Sequence, residues 1–137
     1  MRTLLFILII FLLGSCSINL KSDKYSTREY INNEWTQFSE WEPIDLKVDF
    51  KRKFWVFSKP KLTIHDNKKI VITLKEVVAD DTTNDGEKYV SFKCKDNKGV
   101  DCLLILLDKG ECVNAVIYYK DINYCYNLYE VDKEKTP

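Results

Sequence analysis

The chain is poor in the residues on which catalysis most often rests. Histidine occurs once, at His65. A Ser–His or Cys–His pair needs a base and a group that orients it, and no motif supplies them. In Lys61–His65 the histidine shares a face with Lys61 and Thr63, away from Leu62 and Ile64. That pattern predicts an exposed side chain rather than a general base. Glycine is scarce, at 4 residues, and no glycine-rich phosphate loop is present. The 5 cysteines contain no C-x-x-C spacing, so neither a redox dithiol of that kind nor a zinc site is suggested. Net charge is also lacking, with 21 basic against 21 acidic side chains. Nucleic-acid binding needs a basic surface or stripe and is not expected. The short run Lys51-Arg52-Lys53 has acidic neighbours at Asp45 and Asp49 and reads as a solvated strand edge or turn. Asp81-x-Thr83-x-Asp85-Gly86 has the form of half a calcium loop, but its twelfth position is Phe92 where a glutamate is required. No cofactor, metal site or catalytic group is expected, so the chain reads as a non-enzyme.

What is present begins at the N-terminus. Arg2 precedes an unbroken apolar run, Leu4–Leu13. The run is far shorter than the roughly 20 residues that span a bilayer as a helix, and it has the proportions of a signal h-region. It ends Leu13-Gly14-Ser15-Cys16. This resembles the bacterial lipobox, in which the cysteine thiol receives a diacylglyceryl group. The resemblance implies cleavage between Ser15 and Cys16 and a lipid on Cys16, which makes the membrane a partner through that lipid. Several acyl chains anchor a protein where one does not. A plain secretory signal cut near Ser17 is the alternative. The domain reading is a signal peptide at 1–15, a lipid-anchored polar tether at 16–33, a β-domain at 34–131 and a charged tail at 132–137. Ser26-Thr27-Arg28-Glu29 also fits a capping box, which suggests one helical turn.

From residue 44 the pattern is β. Ile44, Leu46, Val48 and Phe50 alternate with polar residues. Phe54–Ser58 is a second run, and Leu62–His65 and Ile70–Leu74 flank a hairpin signal at Asp66-Asn67-Lys68. Val77 and Val78 continue that strand. Ala79–Glu87 reads as a polar loop. Lys88–Lys95, Asp101–Leu107, Cys112–Tyr119 and Asn123–Val131 read as four further strands. The fold class is all-β, a single antiparallel meander of about seven to eight strands closing as a small barrel or sandwich.

Turn positions give a register. Cys94 is set opposite Cys102, Cys102 opposite Ile117, and Ile117 opposite Tyr126. One face then carries Val90, Phe92, Cys94, Cys102, Leu104, Leu106, Val113, Ala115, Ile117, Tyr119, Tyr124, Tyr126 and Leu128, and must be core. Directly opposed cysteines are close enough to bridge, and an exported protein meets oxidising conditions. A Cys94–Cys102 disulfide is therefore expected, with four reduced thiols as the alternative. Cys112 and Cys125 fall about six residues apart, roughly 20 Å at the usual rise, and stay free. The other face holds Leu103, Ile105, Leu107, Val116, Tyr118 and Tyr129, a candidate binding patch. Either Trp35, Phe38 and Trp41 fold across it as a second core, or it receives a protein or a small apolar ligand.

The hairpin Phe92-Lys93-Cys94-Lys95-Asp96-Asn97-Lys98-Gly99-Val100-Asp101-Cys102, followed by Tyr118-Tyr119 and Tyr124-Cys125-Tyr126, resembles a group of small, uncharacterised bacterial β-rich lipoproteins. They share an F-x-C-x-D-x-x-G-x-x-C hairpin and a tyrosine-rich last strand. The likeness spans residues 44–131 and implies no activity. Cys112 and Cys125 lie outside the shared pattern. The functional expectation is a non-catalytic lipoprotein of the bacterial cell envelope, on the periplasmic or surface side, with a β-domain that binds a ligand. Alternatives are an inhibitor or immunity-type lipoprotein acting through Ala79–Glu87, and a lipocalin-like carrier. Both rest on fold analogy.

Overall fold

A computed structural model describes residues 16–52, 59–67 and 69–130. Residues 1–15, where a signal segment is expected, residues 53–58 with the expected run Phe54–Ser58, Lys68 and the tail after Glu130 lie outside the described residues. Among the described residues there are nine strands and no helix: β1 (Cys16–Ile31), β2 (Glu34–Trp35), β3 (Glu42–Arg52), β4 (Lys61–His65), β5 (Lys69–Thr82), β6 (Lys88–Asp96), β7 (Asp101–Asp108), β8 (Val113–Tyr118) and β9 (Ile122–Glu130). They form one antiparallel sheet in which every strand from β3 to β9 pairs with the next in sequence. Pairing of β1 with both β3 and β9 closes the sheet in a ring.

The largest departure from the expected organisation is at the start. The segment read as a free tether is the 16-residue strand β1, and the expected helical turn at Ser26–Glu29 is part of it. Its sequence alternates poorly, so no periodicity reveals it. It is held because both of its edges are paired, and backbone ladders satisfy its polar groups whatever its side chains are. Asn32 and Asn33, with φ of 53° and 65°, turn the chain back so that Tyr30 faces Trp35. Two consecutive positive φ values define the tight hairpin turn whose twist matches that of its strands. Residues 34–52 then run back along β1, interrupted where Thr36 N and Ser39 N donate to the carbonyls of Glu29 and Thr27, at 2.8 Å each.

The inward side chains fill the ring. Leu20, Val48, Leu62, Ile72, Leu104 and Val113 are fully buried, with Phe92 the bulkiest among them. Every residue assigned above to the core face lies in this cluster or packs against it. Cys94 opposes Cys102 as expected. The next two registers differ by two residues: Leu104 rather than Cys102 faces Ile117, and Tyr124 rather than Tyr126 faces Ile117. Strand period is two, so a slip of two leaves every side chain on its face.

The expected loop Ala79–Glu87 is shorter than read. Ala79–Thr82 pairs with Lys88–Ser91, which extends β5 through two register shifts, between Leu74 and Glu76 and between Val77 and Ala79. Asp81 therefore stands in a strand, where its carboxylate accepts from Thr82 N at 2.8 Å.

Candidate functional site

The outward face of β7, β8 and β9 is built of two unlike parts. Leu103 faces Tyr118 and Ile105 faces Val116 across β7 and β8, with Leu107 beside Asn114. This unites five members of the candidate patch. Val116 is 9% exposed and the other four are half-buried, so the patch is not an open apolar surface. Tyr129 is separate. It stands opposite Lys21 of β1, and its hydroxyl accepts from Asn127 Nδ2 at 3.2 Å.

Trp35, Phe38 and Trp41 do not close a second core over this patch. They lie along β1 and stay 37%, 39% and 41% exposed, beside exposed Tyr30 and Ile31. The reason is the turn at Asn32-Asn33, which commits residues 34–41 to the edge of β1 rather than to the face of β7. The link to the patch is Arg28. Its guanidinium lies 5.1 Å from the ring centre of Trp35, 4.8 Å from that of Phe38 and 5.6 Å from that of Tyr118. Such contacts attract a cation to the negative face of each ring. Arg28 is aimed by Asn123, a fully buried residue on β9. In the amide orientation that satisfies both groups, Asn123 Oδ1 accepts from Arg28 Nε at 2.7 Å and from Nη2 at 2.9 Å, and its Nδ2 donates to the Ile122 carbonyl. Lys24 Nζ stands 4.9 Å over the Trp41 ring. The arm is further fixed by Ser39, whose Oγ accepts from Thr27 N at 3.1 Å, and by Thr36, whose Oγ1 accepts from Glu29 N at 3.0 Å.

A second polar cluster secures the bulge of β1. Asn127 is fully buried. Its Oδ1 accepts from Lys24 N at 3.0 Å and from Ser22 Oγ at 3.3 Å, while its Nδ2 donates to Asp23 Oδ1 at 2.7 Å. Asn123 and Asn127 were invisible as site residues in the sequence. The available signal was their two-residue spacing from Cys125, which puts both amides on one strand face with an apolar thiol between them.

The cysteines correct the sequence reading. Cys94, Cys102, Cys112 and Cys125 are all free thiols. Cys94 and Cys102 are opposed but not bridged. Asp96 N donates to the Val100 carbonyl at 2.9 Å. By alternation Cys94–Cys102 is then also a hydrogen-bonded pair, in which side chains stand further apart than in the non-bonded kind. The neighbouring Cys102 thiol, and then burial, hold Cys94 protonated, while Cys94 draws Cys102 below the ordinary thiol range against the opposing effect of burial. Beside them Tyr119 donates to Asp96 at 3.0 Å. Burial tends to raise the Asp96 carboxyl, but Val100 N, the Tyr119 hydroxyl and Lys98 outweigh it and hold the carboxyl low. Cys112 lies one step beyond the Val113–Leu128 pair, against Tyr129. It is four residues from Cys125 rather than six, about 13 Å and still beyond bridging distance. Burial pushes Cys125 up to about 11.

His65 shares the outward face with Lys61 and Thr63 as read, but it is not simply solvated. Its Nε2 lies 2.7 Å from the carboxylate of Asp49, which is 3% exposed. Among the described residues no group of three or more His, Cys, Asp or Glu side chains could hold a metal ion. In comparison with known proteins, the chain matches no protein-family model, no curated protein and no solved structure.

Proposed function

We propose that this protein is a lipid-anchored module of the bacterial cell envelope that binds a protein partner through the aromatic arm of residues 30–41. The observation that carries the reading is the course of β1. One strand of 16 residues joins Cys16 to the hairpin tip, about 50 Å at the usual rise. A lipid on Cys16 and the exposed rings of Tyr30, Trp35, Phe38 and Trp41 then belong to opposite ends of a stiff ring, with no slack tether between them. Trp, Tyr and Arg are the residue types that dominate binding hot spots, and here Arg28 and Lys24 hold the rings in place. The filled interior favours surface binding over carriage of a ligand inside the ring.

The lipid is tested by feeding cells a radioactive fatty acid. Label is expected in the wild type and lost in Cys16→Ala, and an unlabelled wild type removes the anchor from the proposal. The arm is tested by crosslinking in cells from a photoreactive residue at position 38. A discrete protein adduct that disappears in Trp35→Ala supports the reading, and adducts unchanged by that substitution refute it. The inhibitor reading keeps one specific support. The β5–β6 hairpin carries Val77 and Val78 more than half exposed beside Asp80 and Asp81, a form suited to entering a partner's cleft.

A further inference from the structure

The balanced total charge conceals an uneven distribution. From Glu29 to Leu46 the sequence holds five carboxylates and no basic side chain. Glu29, Glu34, Glu40, Glu42 and Asp45 are all exposed, and among the described residues none of them enters an ion pair. The nearest cations of β1 are committed, Arg28 to Asn123 and the rings and Lys24 to Trp41. Lys120 of the β8–β9 turn adjoins Asp121. Basic residues are in excess only toward Asp45, where β3 continues with Lys47 and the β4–β5 turn has the sequence Asp66-Asn67-Lys68-Lys69. The four glutamates are left without a cation of their own. Register sorts them from the rings. Tyr30 pairs with Trp35, with ring centres 5.2 Å apart, on the face of Arg28. Ile31 pairs with Glu34 and Tyr25 with Glu42, so Glu29, Glu34 and Glu42 stand on the other face. The edge of residues 34–42 that faces away from β1 pairs with no described strand, and β4 meets β3 only from Lys47 onward. Pro43, which has no N–H, bounds that edge.

We infer that the partner of the arm is a basic polypeptide segment, which adds as a strand to the open edge of residues 34–42. This assignment rests on the reading of the arm as the binding surface and names what the arm receives. An open edge offers unpaired N–H and C=O groups to another chain. Strand addition draws affinity from those bonds and specificity from alternate side chains. One set of the added side chains meets Trp35, Phe38 and Trp41, which accept apolar groups or a cation over a ring. The alternate set meets Glu34 and Glu42, which favour lysine or arginine and repel an acid. Opposite charges facing each other on neighbouring strands strengthen pairing by up to about fivefold per pair.

The test uses the full-length protein as cells process it, purified in a neutral detergent, and the fluorescence anisotropy of short dye-labelled peptides. One peptide alternates lysine and valine, and a second alternates glutamate and valine. A third is the lysine peptide with its backbone nitrogens methylated, which keeps the charge and removes the N–H donors. Binding of the first peptide alone is expected, weakening with salt. A Glu34→Gln/Glu42→Gln variant is expected to bind it about tenfold more weakly, with unchanged circular dichroism and melting, and Trp35→Ala is expected to weaken it as well. Asp85→Asn, at an exposed acid of the β5–β6 turn, is expected to bind as the parent. Equal binding of the lysine and glutamate peptides, equal binding of the methylated peptide, no binding of any peptide, or no loss in Glu34→Gln/Glu42→Gln overturns the inference. If the crosslink from position 38 depends on Trp35 while the lysine peptide fails to bind, the arm stands as the binding surface and the basic strand falls. If the lysine peptide binds and is weakened by Glu34→Gln/Glu42→Gln but not by Trp35→Ala, the edge keeps its basic strand and the role given to the rings falls.

Discussion

Strands β1 and β9 lie side by side in the ring and are held there by different means. β9 turns Tyr124, Tyr126 and Leu128 inward and seals its outer face with Cys125 and two buried amides. Among its described side chains β1 contributes one fully buried apolar group, Leu20, and it also buries Ser22 and Ser26. Its order comes from backbone pairing on both edges and from side chains of β9 that reach across to its bulge and to Arg28. A closed sheet can therefore include a strand with little hydrophobic content, provided that its neighbours supply the missing contacts. The cost falls on the neighbour, which must carry polar groups with no solvent to satisfy them.

The contrast is most severely tested from the interior. Phe92→Ala removes the largest fully buried side chain and is expected to cost about 3–5 kcal/mol. If the ring is one cooperative unit, hydrogen exchange will quicken in β1 and β9 alike, and denaturant melting will stay a single transition. Loss of protection in β6–β8 alone would mean that β1 is a separate unit.

A smaller effect comes from pH and arises on both faces of β9. Burial raises Cys125 from 9.0 to about 11 and Tyr126 from 10.0 to about 12. Both are acids whose folded value lies above the unfolded one, so the unfolded chain loses its proton first. The stability they contribute is complete below pH 9 and is lost as pH rises toward 12. Each accounts for about 2–3 kcal/mol at the top of that range. Cys125→Ser is expected to flatten the lower part of the decline in melting temperature, from pH 9 to about 11. A slope unchanged by that substitution would mean that the thiol is not the titrating group.

The two strands also differ in how much of them the sequence discloses. The core face of β6–β9 was legible because strict alternation survives a difference of two residues in register, and both the β7–β8 and β8–β9 registers differ by that amount with every side chain on its expected face. The missing disulfide shows the limit of the same reasoning. Opposition of Cys94 and Cys102 was legible, but the alternation of bonded and non-bonded pairs that sets their separation was not. β1 was illegible because the cause of its order lies in Asn123, Asn127 and the closure of the ring, more than 90 residues away. The aromatic arm was legible as residues but not as a place, since it is two adjacent asparagines that send it along β1.

Asn127→Ala separates the two means of support. It leaves Lys24 N and Asp23 without their partner, and a buried group left unsatisfied costs about 1–3 kcal/mol. The loss is expected to be local. Amides of residues 20–25 should exchange faster, while those of β7 and β8 keep their protection. A uniform loss would mean that the amide supports the core and not the bulge.

The smallest effect lies at the turn, and its sign is opposite. Asn32 and Asn33 both take positive φ, a conformation that asparagine tolerates and glycine adopts without steric cost. The preferred sequence for such a two-residue turn is Asn-Gly, so Asn33→Gly matches the backbone better than the residue present. Glycine also loosens the unfolded chain, which offsets part of the gain. The net expectation is a stabilisation of a few tenths to about 1 kcal/mol, read as a rise in melting temperature of a few degrees at most. It is informative because it acts on the arm alone: no core contact changes and neither edge of the ring is touched. If the arm is docked on β1 as one hairpin, the gain will appear in global stability and as slower exchange at Thr36 and Ser39, whose amides bond β1. If Asn33→Gly slows exchange at those two amides yet leaves global melting unmoved, the arm closes independently of the ring. Trp35 and Phe38 could then leave Arg28 to meet a partner while β1 stays paired to β9.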